Sequence, residues 1–396
     1  MSADTARAPV VLGGGVHPFG RHAGGPWRDW VRQAGEAALL DAGLAPADID
    51  AVVVASETDF LSLQVNPGPV VLAELGLVGK PVVRVEGGGA SGGLALREAV
   101  MQIMAGLYRR VLVVGFDAAA GHLGAADVQL VYGLSFDAET DGMAGATAVA
   151  LYALSIAEYM ARHGATAEQL AHVSVKNHAN AIGNPWAHKP MSITVGDVLA
   201  SPMIATPYRK FDCSMASDGA AAIVLAAPGE APAADRPRSR ITGSGAGSDY
   251  PRLGDRRDRS AFRAKARAAH AAYAMAGIDA PSSAFDAAEV YDAFTGAELQ
   301  SLEALGLAAE GTAGPAMAEG RFDAAGELPV NLSGGLIGQG GVPGATGIAQ
   351  AVFMDRLLGD RAHGDGARRA IRRGVIDVHG GVCTNAVVHV MERAEP

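Results

Sequence analysis

Helical and extended patterns of apolar residues alternate along the chain. The helical stretch that ends in LLDAGL at residues 39–44 leads through a polar turn to the apolar run IDAVVVAS. A later helical stretch, AAYAMAGI at 271–278, leads in the same way to FDAAEVYDAF. Segments of period 3.6 that alternate with short apolar runs are typical of helices packed on strands. The pattern therefore predicts an α/β protein with a parallel or mixed sheet covered by helices.

The same landmarks occur twice and in the same order. The helix VLAELGL at 71–77 corresponds to SLEALGL at 301–307, and in each half a glycine-rich turn then opens another helix. An Arg-Arg pair and an apolar strand follow, from Arg109 in the first half and from Arg372 in the second. Matched landmarks about 230 to 263 positions apart predict two halves that pack as pseudo-two-fold partners. The glycine-rich turns would direct two helix N-termini toward one crevice.

The length of 396 residues allows two packed halves with a large buried core. We predict an N-terminal half at residues 1–235 and a C-terminal half at 236–396. The first half contains an inserted loop domain at about 117–210, which includes the polar stretch KNHANAIGNPWAHKP at 176–190. Long insertions of this kind usually act as lids or as contacts between subunits.

Charge and composition exclude several functional classes. The net charge of −10 argues against a nucleic-acid partner, and no apolar run reaches the roughly 18 residues of a membrane helix. The N-terminus has no signal sequence, and two cysteines, Cys213 and Cys383, fit a reducing compartment, so we expect a cytoplasmic protein. The histidine spacing matches no metal motif, and we expect no metal. The basic run from Arg256 to Lys265 is either a solvated helix start or a clamp for ligand phosphates.

Several motifs resemble the thiolase superfamily. The run VEGGGASGG at 85–93 is similar to the thiolase nucleophile loop, whose usual form is V-E-x-x-C-A-S-G-S. The stretches at 176–190, 203–225, 288–306 and 331–347 resemble the sterol-carrier-protein and archaeal branch of that superfamily. The resemblance covers almost the whole chain in order. It implies the thiolase fold, with duplicated α/β halves in a five-layered α/β/α/β/α arrangement, a homodimer, and acyl-coenzyme A substrates of lipid metabolism.

The chain departs from the family pattern where thiolase chemistry would occur. Gly89 stands at the position of the nucleophilic cysteine, and Gly341 stands at the position of the histidine in the family's Gly-His-Pro triplet. Val378 replaces the second cysteine, and Tyr291 occupies a position that is His or Asn in many relatives. Because glycine cannot take up an acyl group, the usual covalent route needs another nucleophile.

Backbone donors survive these replacements. N–H groups at a helix N-terminus and in a glycine turn can stabilise the negative charge that develops on a thioester oxygen. The resemblance assigns these oxyanion donors to Gly89 and Gly380, and neither needs a side chain. We also expect the missing side chains at Gly89 and Gly341 to leave a wide pocket, which favours a bulky acyl group.

Three side chains are candidates for catalysis. Tyr291 is the preferred acid-base residue, and the chain resembles cysteine-less steroid side-chain aldolases that use tyrosines in this region. Their second tyrosine falls on Gly341 here. His379 is either a general base or a hydrogen-bonded structural residue. Cys383 is either a replacement nucleophile or a small packed hydrophobic residue.

Three functions remain open at this point. The leading hypothesis is a non-covalent lyase that cleaves or forms a carbon–carbon bond in a bulky β-hydroxyacyl-CoA, with coenzyme A as part of the substrate and no separate cofactor. The second is an acyltransferase with a replaced nucleophile, either Cys383 or a bound water. The third is a catalytically degenerate subunit that supports an active partner. Members of this branch often associate with a small OB-fold protein that carries a zinc ribbon.

Overall fold

A computed structural model of the chain describes residues 7–23, 25–121, 123–231, 237–361 and 370–394. The strands are β1 (Val10–Gly20), β2 (Ala51–Ala55), β3 (Val82–Val85), β4 (Arg110–Ala118), β5 (Met203–Ala205), β6 (Tyr208–Arg209), β7 (Asp218–Ala226), β8 (Arg238–Ser248), β9 (Ala287–Glu289), β10 (Arg373–Gly380) and β11 (Asn385–Ala394). The α-helices are α1 (Trp27–Ala42), α2 (Asp59–Ser62), α3 (Pro67–Glu74), α4 (Ser91–Met104), α5 (Ala125–Gly133), α6 (Ala148–His163), α7 (Ala167–Ala181), α8 (Val195–Ala200), α9 (Arg263–Ala276), α10 (Thr295–Ala304), α11 (Ala313–Ala318), α12 (Gly335–Gly338) and α13 (Pro343–Leu358). Within these ranges, no helix has both the length and the apolar character that a membrane span requires.

Nine strands form a mixed sheet in the order β3-β2-β4-β7-β1-β8-β11-β10-β9. In the first half, β2 lies parallel to β3 and β4, and β7 pairs antiparallel with β4 and β1. The second half repeats this pattern, because β10 pairs parallel with β9 and antiparallel with β11, which in turn pairs antiparallel with β8. Two residue pairs link the halves, Val10 with Arg240 and Val11 with Ser239.

Helices form three layers that alternate with the two half-sheets. In the outer layers, α1 packs on β1 and β7, and α9 packs on β8 and β11. In the middle layer, α4 and α13 pack against each other and contact strands of both halves. The predicted five-layered arrangement with duplicated halves is therefore confirmed.

Glycines allow the two central helices to approach closely. A Cβ atom on Gly92 of α4 would lie 2.8 Å from the carbonyl oxygen of Gly344, and one on Gly347 of α13 would lie 2.6 Å from the backbone nitrogen of Gly93. Side chains at these positions would force the helices apart. The close crossing brings the N-termini of α4 and α13 to one cavity, whose wall contains both Gly89 and Pro343.

The segment between β4 and β7 packs against the second half of the chain. Its helices α6 and α7 contact α10, and α7 also contacts α11 and α12. The buried side chains of Tyr152 and Ile156 belong to the same apolar cluster as Phe262 and Val388. The limits of the inserted domain, about 117–210, remain a prediction. The predicted boundary between residues 235 and 236 lies outside the described residues.

Candidate active site

A cavity of about 770 Å³ lies where α4 and α13 begin. Four of the residues predicted for the site line it: Gly89, Tyr291, Gly341 and His379. Gly380 instead lines a neighbouring cavity of about 800 Å³, whereas Cys383 lies in the wall of neither. Among the described residues, no group of three or more His, Cys, Asp or Glu side chains could hold a metal ion.

The side chain of Tyr291 fills the space beside Gly89. A Cβ atom on Gly89 would lie 2.6 Å from the carbonyl oxygen of His379 and 2.9 Å from Cζ of Tyr291, and nearer still to the phenol oxygen. The expectation that Gly89 widens the pocket is therefore wrong, because the phenol of Tyr291 takes up that volume. At Gly341 the structure agrees with the expectation of open space. A Cβ atom there would make only ordinary contacts, at 3.5 Å, with Leu336 and Met215.

Tyr291 is held as a buried, protonated phenol. It follows the edge strand β9, and its backbone N–H donates to Oδ1 of Asp377 over 3.3 Å. Asp377 in turn forms a fully buried ion pair with Lys265. Burial, with the nearby carboxylate of Glu57 as the next cause, raises the pKa of Tyr291 far above its usual value. At neutral pH the side chain can therefore donate a proton but does not carry a negative charge.

His379 is a neutral imidazole bonded to a tyrosine from the inserted segment. Its Nε2 lies 2.7 Å from Oη of Tyr152, and the Tyr152 hydroxyl donates its own proton to the carbonyl of Gly381. The His379 Nε2–H is therefore the donor of that bond. The Nδ1 atom carries the lone pair and has no partner among the described residues. Burial, together with Lys265 and Arg256, lowers the pKa of His379 well below its usual value.

The predicted role of Gly380 as a free oxyanion donor does not fit the structure. Its backbone N–H donates to Oδ1 of Asn385 over 3.0 Å, and the amide of Asn385 donates to the carbonyl of Gly87. Gly89 differs, because it lies in the single helical turn Gly88–Ala90 that leads directly into α4. Backbone N–H groups at such a position lack intrahelical acceptors and can face a ligand.

Cys383 is part of the hydrophobic core. Its side chain is fully buried in the turn between β10 and β11, among the apolar residues of the second half. Burial raises the pKa of the Cys383 thiol to about 11, so the reactive thiolate is not populated at neutral pH. Of the two alternatives at this position, the structure supports the packed hydrophobic residue.

Two side chains of the basic run are buried rather than solvated. Arg256 is 5% exposed and donates to the carbonyls of Val382 and Tyr250. Lys265 is fully buried and contacts both Asp377 and the hydroxyl of Ser301. The interpretation of this run as a solvated helix start is therefore wrong for Arg256 and Lys265. The positive charges of these two residues contribute to the lowered pKa of His379.

The site also contains three side chains that the sequence motifs did not indicate. Tyr132 and Tyr152 come from the inserted segment and line the cavity. Glu57 follows β2 and lies in the wall that the two cavities share. The signal in the sequence for Glu57 was a charged residue two positions after the apolar run of β2. Polar groups at the C-terminal ends of parallel strands often belong to ligand sites.

Comparisons with known proteins agree with this fold. The family model described as "Thiolase, N-terminal domain" matches residues 10–193, and "Thiolase C-terminal domain-like" matches residues 245–393. The chain is 35% identical to an acetyl-CoA acetyltransferase of Methanothermobacter thermautotrophicus, over 98% of its own length and all of the relative's.

Two further relatives resemble the chain over nearly its full length. It is 30% identical to a steroid side-chain-cleaving aldolase of Thermomonospora curvata, over 90% of its own length and 93% of the relative's. It also superposes on the solved structure of an "Ltp2-ChsH2(DUF35) aldolase" with a TM-score of 0.82 and 25% identity, covering 98% of both chains. The matched domains, the identity and the layered fold together show that the chain belongs to the thiolase family of enzymes.

Proposed function

We propose that this thiolase-family enzyme cleaves or forms a carbon–carbon bond in a bulky β-hydroxyacyl-CoA without a covalent acyl-enzyme. The observation that carries the proposal is the Tyr291 phenol in the space where a nucleophile on residue 89 would stand. Acyl transfer by the thiolase route requires that nucleophile. A retro-aldol reaction requires only proton transfer and stabilisation of an enolate.

The proposed cleavage starts at the β-hydroxyl group. A base takes the hydroxyl proton, the Cα–Cβ bond breaks, and its electron pair moves into the thioester as an enolate. The backbone N–H of Gly89, at the start of α4, stabilises the enolate oxygen, and the Tyr291 phenol protonates Cα. The reaction needs no separate cofactor, because the thioester carbonyl itself stabilises the carbanion.

The walls of the larger cavity support a bulky acyl group. Apolar side chains make up much of the lining, among them Phe136, Val149, Met191, Ile204 and Leu336. A volume of about 770 Å³ falls in the usual range for pockets that enclose a drug-sized ligand. The relative described as a steroid side-chain-cleaving aldolase adds support for a polycyclic acyl group.

Acyl transfer is the second candidate, because the 35% identical relative is an acetyl-CoA acetyltransferase. The substitution at Gly89 and the burial of Cys383 count against it, since neither position supplies an accessible thiolate. A bound water would then have to replace the thiolate, and the product would be a free acid rather than a transferred acyl group.

We further propose that a second copy of the chain covers the edge strand β3. This strand ends the sheet, and its Val83 is 40% exposed. Phe60 and Leu134, which line the same cavity as Arg84 of β3, are more than half exposed. An unpaired edge with exposed apolar side chains favours association.

A small OB-fold protein with a zinc ribbon is the proposed second partner. The two-protein name of the Ltp2-ChsH2(DUF35) structure supports a second subunit, and cleavage is therefore best assayed with and without it. If the chain were a degenerate subunit, all activity would belong to the partner.

The test of the proposed function combines product analysis with the intact mass of the protein. We expect incubation with a panel of β-hydroxyacyl-CoA thioesters to release a ketone or aldehyde and a shortened acyl-CoA, with no mass added to the chain. Tyr291→Phe, assayed in parallel, should lose the activity. A stable acyl adduct on the chain would instead establish acyl transfer, and unchanged activity in Tyr291→Phe would show that the phenol is not the proton donor.

A further inference from the structure

Glu57 lies at a junction of the two halves, beside the proposed site. It is the second residue after β2, and its backbone N–H donates to both carboxylate oxygens of Asp117, over 3.2 and 3.1 Å. The same carboxylate accepts the N–H of Gly344, at the start of α13, over 2.7 Å. The end of β2, the end of β4 and the first turn of α13 therefore fix the backbone of Glu57.

The carboxylate of Glu57 is buried and only half satisfied. The residue is 8% exposed, and Oε1 accepts a hydrogen bond from the Ser135 hydroxyl over 3.0 Å. Oε2 has no partner among the described residues. Buried carboxylate oxygens are usually hydrogen-bonded, and Glu57 lies in the wall of two cavities, so its half-satisfied carboxylate indicates a group that meets a ligand.

Glu57 and Tyr291 face the same glycine turn. A Cβ atom on Gly88 would lie 3.8 Å from Oε1 of Glu57, whereas a Cβ atom on the next residue, Gly89, would collide with the Tyr291 phenol. The charge of Glu57 is also the second cause, after burial, of the raised pKa values of Tyr291 and Tyr132. Protonation of the Glu57 carboxylate would therefore lower the pKa of both phenols.

Several groups surround the carboxylate and set its affinity for protons. Burial raises the pKa of Glu57 to about 7, the Ser135 hydrogen bond opposes this, and Glu86 reinforces it. The other titratable or charged groups on the elements around it include Asp117 on β4, Arg84 on β3 with its ion-pair partner Asp59 on α2, Tyr132 on α5 and Tyr291 after β9. A carboxyl group with a pKa near neutral pH can both accept and return a proton in one catalytic cycle.

We infer that Glu57 is the base that removes the β-hydroxyl proton, an inference that rests on the proposed function. The carboxylate takes the proton, the hydroxyl oxygen forms the new C=O bond, and the Cα–Cβ pair enters the enolate. Tyr291 then protonates Cα, and the carboxylic acid of Glu57 returns its proton to the Tyr291 phenolate. One proton thus leaves the hydroxyl group and one reaches Cα, both side chains return to their starting protonation states, and no oxidant or reductant is consumed.

Glu57→Gln tests this role, because glutamine keeps the size of the side chain and an oxygen that can accept from Ser135. We expect kcat for cleavage to fall about 100- to 10,000-fold, as is usual when an acid-base group is lost, with KM changed by less than about threefold. The acid limb of the kcat–pH profile should disappear as well. Glu36→Gln, on the exposed face of α1, is the matched control and should match the wild type.

Two further variants separate chemistry from folding. Glu57→Asp keeps a carboxyl group at a greater distance, and we expect an intermediate kcat with the acid limb retained. Ser135→Ala removes a hydrogen bond that lowers the pKa of Glu57, so the acid limb should move to higher pH. A merely structural role of Glu57 would give none of these changes in the pH profile.

The outcomes distinguish this inference from the function on which it rests. If the wild type cleaves a β-hydroxyacyl-CoA and Glu57→Gln retains its kcat and pH profile, the inference is overturned and the proposed function stands. If the wild type cleaves no such thioester, with or without the OB-fold partner, both are overturned. A folded Glu57→Gln with the expected loss in kcat, together with the shifted limb in Ser135→Ala, supports both.

Discussion

The two glycine turns that open the central helices have equivalent places in the duplicated fold but different surroundings. At the first turn, before α4, the Tyr291 phenol and the His379 carbonyl leave no room for a side chain on Gly89. At the second turn, before α13, a Cβ atom on Gly341 would make only ordinary contacts. The comparison teaches that the same local motif is filled by Tyr291 and a backbone carbonyl at one turn and leaves open space at the other.

The largest effect on kcat is expected at the turn before α4, where the Tyr291 phenol fills the space beside Gly89. Tyr291→Phe removes the phenol oxygen and keeps the ring, so the fold should survive while kcat for cleavage falls about 100- to 10,000-fold. Steady-state kinetics with the best thioester measures this, and Tyr250→Phe, at a residue that is 60% exposed, is the control. Wild-type kinetics in Tyr291→Phe would mean that the filled turn is structural only.

The histidines beside the two turns predict different contributions to pH-dependent stability. His379, next to the first turn, is fully buried, whereas His188, next to the second, is half-buried and bonded to Ser217. Burial lowers both pKa values, so the unfolded chain binds more protons below the unfolded value of about 6.5, and stability is lost as pH falls through that range. Each group contributes at most about 1.4 kcal/mol per pH unit.

Denaturant unfolding between neutral and mildly acidic pH checks this difference. We expect His379→Gln to flatten the loss of stability on acidification more than His188→Gln does, because the more deeply buried ring has the lower pKa. Equal slopes in the two variants would show that the two turns impose the same desolvation.

A pair of alanine substitutions compares the two turns directly. Gly89→Ala should lower the free energy of unfolding by about 1–3 kcal/mol through overpacking, whereas Gly341→Ala should change it by less than about 1 kcal/mol. The cost of Gly89→Ala should shrink in a Tyr291→Ala background, because the two positions compete for one volume. Additive effects in this double-mutant cycle would contradict the packing described above.

The smallest effect is expected outside both turns. Cys383→Ala removes the buried thiol, and we expect kcat per folded molecule to stay within about twofold of the wild type, because the residue lines neither cavity. Active-site titration combined with steady-state kinetics measures this. A loss of kcat comparable to that of Tyr291→Phe would contradict the assignment of Cys383 to the hydrophobic core.

The repeat was enough to predict the layers, because each repeated landmark is local in sequence. The glycine-rich turns, the Arg-Arg pairs and the apolar strands each lie within a few residues, and the fold places them in matching positions of both half-sheets. The sequence also showed that glycine stands at positions 89 and 341, where the family pattern has a cysteine and a histidine. Those features depend on residue identity and order alone.

The packing of the site was not predictable from local patterns. Tyr291 meets Gly89, and Tyr152 meets His379, only because distant elements are brought together by α4, α6 and β10. The N–H of Gly380 is taken up by Asn385, a contact that depends on the register of β10 and β11. The burial of Arg256 and Lys265 was not predictable from the sequence, because burial of a charge is decided by partners elsewhere in the chain.

The shared volume at Gly89 and Tyr291 also constrains how this protein could change over evolutionary time. A cysteine restored at position 89 would meet both the phenol and the backbone oxygen of His379, so that step alone lowers stability before any activity is gained. Replacement of Tyr291 alone removes the proposed proton donor and gains no nucleophile. Each single step toward covalent chemistry is therefore disadvantageous, and the two residues together would preserve the proposed non-covalent site.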